Sequence, residues 1–280
     1  MMKIGIVGNG YVGQATALLQ SENVKALIWD VDPKKRNINR LEDLKVCDLV
    51  FVCVPTPMDK DGSCYLDIVT QVVHELYTLA KINGRNIIVR STVPVGTCEK
   101  LGVSFMPEFL TEANWKDDFK NNNEWIFGFD APESLEERFA GNFASEKIFK
   151  LAELSDKKVK VVKTKEAELV KYIRNAFLAT KISFFNEVEE FCTRLDVSYE
   201  EVRESVCNDA RIGHSHSEVP GPDGKRGYGG TCLPKDMASL LSQMLEIKMM
   251  PYLIVAVRTR NNESDRPEKD WELNKGRSVI

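Results

Sequence analysis

The residues best suited to chemistry stand in one short stretch, Gly227-Tyr-Gly-Gly-Thr-Cys-Leu-Pro-Lys-Asp236. Its three glycines permit the positive φ angles of a tight turn and a close approach of the backbone to a ligand. Pro234 favours the first turn of a helix, and the apolar spacing after it continues that helix. A thiol at a helix N-terminus beside Lys235 is favoured as the thiolate. A lone cysteine is usually an inert core residue, but these neighbours favour a nucleophile at Cys232.

A second set of residues, near the N-terminus, indicates a nucleotide site. An apolar run over residues 3–7 predicts a strand, and Gly8-Asn-Gly-Tyr-Val-Gly13 and a helix follow it. In this order the glycines permit a tight turn, a close approach to a pyrophosphate and close helix packing. The next strand ends at Asp30, where an acid can hydrogen-bond the ribose hydroxyls and repel a 2′-phosphate. The pattern therefore predicts a dinucleotide site that prefers NAD to NADP.

Further strands must position loops beside this nucleotide site. Apolar runs predict strands over residues 48–54, 86–90, 103–106 and 124–129, and we expect the run over 124–129 to be the last strand of the sheet. The first three end in Pro- or Gly-containing loops at the edge where parallel sheets bind ligands. Glu108 and Glu112 follow one strand end. They are either exposed loop acids, the usual place for Glu, or functional groups beside the cofactor.

The second half of the chain is predicted to be mainly helical. Residues 131–156 are charged and favour a helical layer that closes the first domain. A short strand over residues 159–162 leads into a helix from about Lys165 to Leu195. At 1.5 Å per residue this helix would be roughly 45 Å long, which suits a domain spine or a dimer face. Lys171 and Asn175 lie four residues apart on one helical face, although a solvated lysine is the ordinary interpretation.

These elements predict an N-terminal Rossmann-like, doubly wound parallel sheet followed by an all-α central domain with a long spine helix. We expect a nucleotide-binding domain over residues 1–157, a helical central domain over residues 158–260 and a C-terminal tail over residues 261–280. A short helix is expected over residues 34–44. The tail is charged and poor in apolar residues, so we expect it to lie on the surface or to be partly disordered.

The composition argues against several classes of function. The net charge is −4 without a basic block, so we expect no nucleic-acid partner. The seven cysteines are odd in number and lack metal-ligand spacing, which favours reduced thiols in the cytoplasm and no zinc site. His214 and His216 lack a third ligand, so we expect no metal. No stretch is apolar enough to span a membrane, and the N-terminal apolar run is interrupted by glycines, unlike a signal peptide.

Together the motifs resemble the UDP-glucose 6-dehydrogenase and GDP-mannose dehydrogenase family, in the family's order and over nearly the whole chain. The matching segments are Gly8-Asn-Gly-Tyr-Val-Gly13, Val54-Pro-Thr-Pro57, Arg90-Ser-Thr-Val-Pro-Val-Gly96, Pro107-Glu-Phe-Leu-Thr-Glu112, Lys171-Tyr-Ile-Arg-Asn175, Ser183-Phe-Phe-Asn-Glu187, Arg211-Ile-Gly213 and Gly229-Gly-Thr-Cys-Leu-Pro-Lys-Asp236. The loop over residues 219–227 looks most like the UDP-glucose branch. Family members usually carry a third domain that covers the nucleotide, so the resemblance implies a short form without that domain.

The resemblance implies two successive hydride transfers from the C6 alcohol of a nucleotide sugar, most simply UDP-glucose, to NAD. The alcohol would become an aldehyde, which Cys232 would trap as a thiohemiacetal. The second oxidation would give a thioester that water hydrolyses to the acid. Two alternatives stay open. One is a dehydrogenase of another nucleotide sugar, such as GDP-mannose or a UDP-N-acetylhexosamine, or of a simpler substrate. The other is a non-catalytic NAD-binding subunit of an assembly.

The resemblance also implies roles for residues around Cys232. Lys171 and Asn175 would stabilise the developing alkoxide. Asp236 and Thr92 would hold the water, and Glu108 would be the general base for hydrolysis.

The other implied positions bind the cofactor or the substrate. The cofactor-binding residues are Gly8, Asn9, Gly10, Tyr11, Val12, Gly13, Asp30, Lys35, Val54, Pro55, Thr56, Thr92, Glu112 and Lys235. The substrate-binding residues are Glu108, Phe109, Leu110, Lys171, Asn175, Arg211, Tyr228, Gly229 and Cys232. Arg211 matches an arginine that reaches the substrate from the neighbouring subunit in the family, which implies a homodimer built on the long helix.

Overall fold

The structure, a computed structural model, describes residues 1–130 and 144–280. Internal contacts divide the chain into one unit of residues 1–56 and 65–171 and a second unit of residues 57–64 and 172–280. The first unit therefore extends to Lys171, whereas the sequence predicted that the second domain begins at residue 158. Part of the charged stretch expected to be helical, residues 131–143, lies outside the described residues.

The first unit is built on a seven-stranded sheet. Its strands are β1 Met2–Val7, β2 Val24–Trp29, β3 Leu49–Val52, β4 Ile87–Val89, β5 Ser104–Phe105, β6 Glu124–Gly128 and β7 Lys158–Val162. They lie in the order β2-β1-β3-β4-β5-β6-β7, and only the β5–β6 pair is antiparallel. The predicted Rossmann-like sheet is confirmed. The strand at residues 124–129 is not the last strand, however, because β7 continues the sheet beyond it.

Helices and apolar side chains cover both faces of this sheet. The helices are α1 Tyr11–Ala17, α2 Asp67–Thr78, α3 Thr97–Leu101, α4 Trp115–Asn121 and α5 Ala144–Leu154. Successive side chains of a strand point to opposite faces. Accordingly, Leu49 and Phe51 of β3 belong to one buried apolar cluster, whereas Val50 and Val52 belong to another. Burial on both faces explains why this strand reads as a continuous apolar run.

The helix expected over residues 34–44 does not form. Two short 3₁₀ segments, Pro33–Lys35 and Leu41–Val46, replace it. Between them Asn37 pairs with the outer edge of β2: its Oδ1 accepts from Ile28 N at 2.6 Å, and its Nδ2 donates to Ala26 O at 3.1 Å. The segment thus satisfies backbone groups of an edge strand that a continuous helix would leave uncovered.

The second unit is helical, as predicted. The long helix α6, Thr164–Leu195, contains the boundary between the units, and α7 Tyr199–Cys207, α8 Leu233–Glu246 and α9 Tyr252–Arg260 follow it. Its core contains apolar side chains from α6, from the glycine-rich loop and from α8 and α9; among them are Tyr172, Tyr228, Met237, Leu240 and Val257. In the described part of the chain no helix combines the length and the apolar character needed to cross a membrane.

The C-terminal segment, residues 261–280, is not a loose surface tail. Trp271 is 4% exposed and Arg266 is 3% exposed. Met58 N donates to Ser278 O at 2.8 Å, and Ile280 N donates to Met58 O at 3.1 Å. The prediction of a surface-lying or partly disordered tail is therefore wrong. Charged side chains can be buried here because they pair with one another, as Arg266 does with acids of its own unit.

Candidate active site

The glycine-rich turn after β1 has the geometry expected of a nucleotide loop. Gly8 has φ +89°, and a Cβ built on it would stand 2.8 Å from the carbonyl oxygen of Cys53. A Cβ on Gly13 would overlap the carbonyl oxygen of Gly8. Around Gly10, in contrast, no atom of the described residues lies within 4 Å of a built Cβ, and no side chain caps α1. Two glycines therefore serve the fold, while Gly10 leaves open space that fits the approach of a pyrophosphate.

Asp30 lies at the end of β2 and holds this turn. Its Oδ2 accepts from Asn9 N at 2.6 Å and its Oδ1 accepts from Asp32 N at 2.8 Å. Asn9 in turn donates from Nδ2 to the backbone carbonyl of Lys35 at 2.6 Å, while the Lys35 side chain is exposed. The structure thus brings Asn9, Asp30 and Lys35 together. Each carboxylate oxygen of Asp30 has a second lone pair that can accept a ribose hydroxyl.

The loops after β3 and β4 are joined by hydrogen bonds. Thr56 Oγ1 donates to Thr92 O at 2.7 Å, and Ser91 Oγ donates to Val54 O at 2.6 Å. Thr56 and Thr92 are both buried, whereas Pro55 is exposed. The predicted cofactor residues of these two loops therefore lie side by side. Of the others, Tyr11 and Val12 start α1, and Glu112 is exposed in the loop after β5.

Glu108 and Lys171 form a buried ion pair that the sequence did not predict. Lys171 Nζ donates to Glu108 Oε1 at 2.7 Å and to the Glu108 carbonyl at 2.8 Å, and both side chains are 4% exposed. The second carboxylate oxygen of Glu108 accepts from Leu110 N at 2.7 Å. The Lys171 ammonium also lies 5.9 Å from the ring centroid of Phe109. A buried pair with these hydrogen bonds fixes both charged groups in position.

Arg90 and Glu168 support the same loops, and sequence reasoning gave neither of them a role. Arg90, 3% exposed, donates from Nη1 to Thr16 Oγ1 at 2.8 Å, and burial lowers its pKa. Glu168 accepts from Gly96 N at 2.5 Å and from Cys98 N at 2.8 Å, and burial raises its pKa. Arg90 could have been noticed as a charge that directly follows an apolar strand. Glu168 gave no such signal, because it stands among other charged residues of a long helix.

Cys232 lies where the sequence placed it, at the N-terminus of a helix. It is the N-cap residue of α8, with Pro234 in the first turn and no side chain capping the end. Its Sγ is 3.7 Å from Thr231 Oγ1, and the residue is half-buried. The thiol therefore lies at the positive end of the helix dipole.

A hydrogen-bonded cluster around Asp236 follows Cys232 in the same helix. Asp236 is 2% exposed and accepts from Lys235 Nζ at 2.6 Å and from Asn175 Nδ2 at 2.5 Å. Burial alone lowers the pKa of Lys235, but the negative charges of Asp236 and Cys232 outweigh it, so the pKa of Lys235 is raised. Lys235 is therefore a persistent cation beside Cys232. Lys171 and Asn175, predicted to share a helical face, bind different carboxylates.

The C-terminal segment holds the glycine-rich loop. Tyr228 N donates to Asn261 Oδ1 at 2.7 Å, and Asn261 Nδ2 donates to Tyr228 O at 3.1 Å. Arg266 packs directly on Gly229. Sequence reasoning missed Asn261 and Arg266, because nothing in a charged tail marks which of its residues reach a loop more than thirty positions away. Arg211, another predicted substrate residue, has an 88% exposed side chain that pairs with Asp209.

Comparison with known proteins agrees with this geometry. Residues 35–141 match the model of the UDP-glucose/GDP-mannose dehydrogenase family, NAD binding domain, and residues 165–263 match the model of the same family's central domain. The predicted cofactor, NAD, is confirmed by the first match. The two matches follow one another in the order of the two units.

Individual proteins similar to this chain belong to the same family as the matched models. The chain is 34% identical to a UDP-glucose 6-dehydrogenase of Pseudomonas aeruginosa, over 93% of this chain and 65% of that protein. It is 30% identical to a UDP-glucose 6-dehydrogenase of Bacillus subtilis, over 95% of this chain and 64% of that protein. A UDP-glucose dehydrogenase structure from Pyrobaculum islandicum superposes with a TM-score of 0.77 at 27% identity, over 94% of this chain and 68% of that one. The chain thus spans about 65% of the length of these curated relatives. With both domain models matched in order, it belongs to the UDP-glucose/GDP-mannose dehydrogenase family.

Proposed function

We propose that this chain oxidises the C6 alcohol of a nucleotide sugar to the acid, with UDP-glucose as the first candidate substrate. The observation that carries the proposal is the thiol of Cys232 at the N-terminus of α8, beside the cation Lys235. A simple alcohol dehydrogenase uses no nucleophile, whereas a four-electron oxidation can use one to hold the aldehyde for the second hydride transfer. The relatives named UDP-glucose 6-dehydrogenase support the choice of substrate.

Cys232 is the nucleophile in this proposal. NAD, when bound, accepts a hydride in each of the two oxidations. The thiolate of Cys232 adds to the C6 aldehyde formed in the first oxidation, and the resulting thiohemiacetal is oxidised to a thioester. Water then attacks the thioester carbonyl, the C–S bond breaks, and the thiolate returns as the acid leaves. Lys235 and the helix dipole stabilise the thiolate as attacking group and as leaving group.

In this proposal the charged groups of the Glu108–Lys171 pair act on the reaction at C6. The Lys171 ammonium stabilises the alkoxide that develops at C6 during the first oxidation. Glu108 accepts a proton from the hydrolytic water, and its ion pair with Lys171 holds it in position for this step. Because Lys171 also donates to the Glu108 carbonyl, it remains anchored when the carboxylate takes up the proton.

The amide of Asn175 and the carboxylate of Asp236 act as a unit. Their 2.5 Å hydrogen bond fixes the amide so that its oxygen can face the substrate. Asp236 also fixes Lys235 beside the thiol. Thr92 is proposed to hold the water that hydrolyses the thioester. Glu112, Phe109, Leu110 and Arg211 are proposed as binding residues.

The proposed working unit is a homodimer. Phe177, Phe184 and Phe191 are 66%, 59% and 61% exposed and stand at seven-residue intervals along α6. Such spacing gives an apolar seam that suits helix packing against a second copy. The exposed Arg211 is then available to a partner's substrate.

The experiment that tests the function measures NADH formed per sugar oxidised. We expect the purified chain to form two NADH per UDP-glucose, and less or none with GDP-mannose or a UDP-N-acetylhexosamine. Cys232→Ser should lose acid formation by several orders of magnitude while it still binds NAD. Cys47→Ser is the matched control, because burial raises the pKa of that thiol to about 12 and makes it unreactive. Acid formation by Cys232→Ser at the wild-type rate would exclude the thioester route, and turnover of none of the sugars would favour a non-catalytic NAD-binding subunit.

A further inference from the structure

The glycine-rich loop begins at Gly227, and its first backbone N–H is held from the long helix α6. Gly227 N donates to Asn186 Oδ1 at 3.1 Å. Asn186 lies within α6 and is 1% exposed. Its Nδ2 donates to the carbonyl oxygen of Ile182, one turn earlier in the same helix, at 2.8 Å. Both polar atoms of the amide are therefore engaged, which fixes its orientation.

A second buried asparagine holds the next residue of the loop. Asn261, 0% exposed, directly follows α9. Its Oδ1 accepts from Tyr228 N at 2.7 Å, and its Nδ2 donates to Tyr228 O at 3.1 Å. Two successive N–H groups at the start of the loop are thus bound by asparagine side chains from two separate parts of the second unit.

Gly227 fits between these contacts because it has no side chain. Its φ is +66°, a conformation that favours glycine. A Cβ built there would overlap Oδ1 of Asn261 and would stand 3.0 Å from Cβ of Asp265. The backbone at the start of the loop is therefore fixed by close packing as well as by hydrogen bonds.

Two arginines join α6 to the same segments. Arg226 donates from Nη2 to the carbonyl oxygen of Asn186 at 2.9 Å and from Nη1 to Glu189. Arg260, the last residue of α9, donates from Nη2 to Glu190 at 3.2 Å. Asn186 is therefore one member of a connected network between α6, the loop and the end of α9, all within the second unit.

The residue type at position 186 serves the loop rather than the helix. Asparagine is among the less favourable residues in a helix interior, and a buried amide without partners would destabilise the fold. Thr180 makes the same kind of bond within α6 with a hydroxyl alone, since its Oγ1 donates to Ala176 O at 2.8 Å. What the asparagine adds is the oxygen that accepts from Gly227 N.

The other end of the loop, at Cys232, is fixed separately. Asp236 N donates to Cys232 O at 3.0 Å, and Asn175 holds the Asp236 carboxylate. The position of the thiol thus depends on α8 after it and on the Asn186 contact before it. A shift of about 1 Å in a reacting group can slow a reaction by about a hundredfold.

We propose that Asn186 is a positioning residue for Cys232: its hydrogen bond to Gly227 N orients the loop so that the thiol meets the C6 aldehyde. The inference rests on the proposed function, because that function makes Cys232 the nucleophile. Asn186 acts through the loop backbone, so its loss should slow the addition of the thiol to the aldehyde and leave the first hydride transfer largely unchanged. Aldehyde that Cys232 does not trap then leaves the site instead of being oxidised to the acid.

Two substitutions separate the two halves of the Asn186 amide. Asn186→Ser removes the oxygen that accepts from Gly227 N but leaves a hydroxyl that can donate within the helix, as Thr180 does. Asn186→Asp keeps an accepting oxygen and loses the donor to Ile182. Thr180→Val is the matched control, because the bond that it removes lies wholly within α6.

The measured quantity is the ratio of released aldehyde to acid during UDP-glucose oxidation, with a hydrazine reagent to trap the aldehyde. We expect Asn186→Ser to raise this ratio about tenfold or more, while Asn186→Asp and Thr180→Val remain close to the wild type. The ratio counts only molecules that turn over, so partial unfolding of a variant does not change it. A wild-type ratio in Asn186→Ser, or an equal rise in Thr180→Val, would overturn the inference.

A second readout does not depend on turnover. Iodoacetamide alkylates the thiolate of Cys232, and mass spectrometry of the labelled peptide gives the rate. Because Cys232 is half-buried, release of the loop should expose its thiol. We expect alkylation about threefold to tenfold faster in Asn186→Ser, the effect of one lost neutral hydrogen bond, and the wild-type rate in Thr180→Val. An unchanged rate in Asn186→Ser would overturn the inference. Faster alkylation in Asn186→Ser, with no sugar oxidised by the wild type, would overturn only the proposed function.

Discussion

Arg266 lies so close to Gly229 that a Cβ built on the glycine would stand 2.7 Å from Nε and from Nη1 of the arginine. Arg266 cannot easily move aside, because its Nε donates to Asp270 Oδ1 at 2.8 Å and its Nη2 donates to Asp223 Oδ2 at 2.6 Å. The contact with Arg266 of the C-terminal segment therefore leaves no room for a side chain at Gly229. This contact makes the segment part of the loop's support.

Gly229→Ala should destabilise the protein and lower its oxidation rate. The added methyl must displace Arg266 or the loop, and such overpacking typically costs about 1–3 kcal/mol of unfolding free energy. Gly221→Ala is the matched control in the same loop, because its nearest neighbours lie 3.5 Å from the built Cβ. Urea unfolding of both variants measures the difference. Equal unfolding free energies of the two variants would show that Arg266 can move away from the added methyl without destabilising the protein.

Asp270 should make the stability of the second unit depend on pH in the acid range. Hydrogen bonds from Arg266, and then from Lys225, lower the pKa of Asp270 from 3.8 to about 2. A lowered pKa stabilises the folded state above pH 3.8, and this contribution is lost as the pH falls towards 2. The shift corresponds to about 2 kcal/mol at neutral pH.

Asp270→Asn is the variant that measures this contribution. Its loss of unfolding free energy relative to the wild type should be largest at pH 7 and should shrink between pH 4 and pH 3. Glu272→Gln, an exposed change in the same segment, should show no such dependence. A constant difference from pH 7 to pH 3 would mean that the ion pair does not act on Asp270.

The sequence predicted those parts of the structure that depend on local pattern. The strand Leu49–Val52 is apolar because it is buried on both faces. The helix Thr164–Leu195 was predicted from its long helical sequence pattern. Cys232 at the start of a helix followed from Pro234 and the glycines. These features need only neighbours in the chain.

Features that depend on distant partners were not predicted. The strand over residues 158–162 was predicted, but its alternating polar sequence did not reveal that it pairs with β6 in the sheet. Glu108 and Lys171 were treated as separate groups, although their ion pair decides what either can do. The burial of Trp271 and Arg266 likewise depends on acids and loops that no local pattern identifies.

Gly10→Ala should separate cofactor binding from folding. Gly10 has φ −72°, which alanine adopts freely, and the described structure leaves open space around its Cβ. We therefore expect an unfolding free energy within about 0.5 kcal/mol of the wild type and greatly weakened NAD binding. Gly13→Ala is the contrasting control and should destabilise the fold, because its methyl overlaps the Gly8 carbonyl. Unchanged NAD affinity in Gly10→Ala would exclude the pyrophosphate from this turn.

The wild type should bind NAD more tightly than NADP, because Asp30 would face the 2′-phosphate of NADP. Asp30→Ala should narrow the difference by removing the repulsion. It should also weaken binding of both cofactors, since Asp30 accepts from the Asn9 N–H that shapes the loop. Calorimetric titration of both cofactors measures these effects. Equal affinity of the wild type for NAD and NADP would contradict the assignment.

The homodimer proposed through α6 should dissociate when a charge enters its apolar seam. Phe191→Glu places a carboxylate where a 61% exposed aromatic side chain now stands, and burying it against a second copy would be unfavourable. We expect sedimentation to show a dimer for the wild type and a monomer for this variant. Phe149→Glu, at a 48% exposed position of α5, is the control and should remain dimeric.

Mixing two inactive variants tests whether Arg211 acts across the dimer. Cys232→Ser lacks the nucleophile and Arg211→Ala lacks the arginine, so each homodimer should be inactive. In a mixed dimer one site combines an intact Cys232 with an intact Arg211 from the other subunit. Half of the randomly formed dimers are mixed, so activity should recover to about a quarter of the wild-type value. No recovery after verified subunit exchange, or full activity of Arg211→Ala alone, would show that Arg211 does not complete a partner's site.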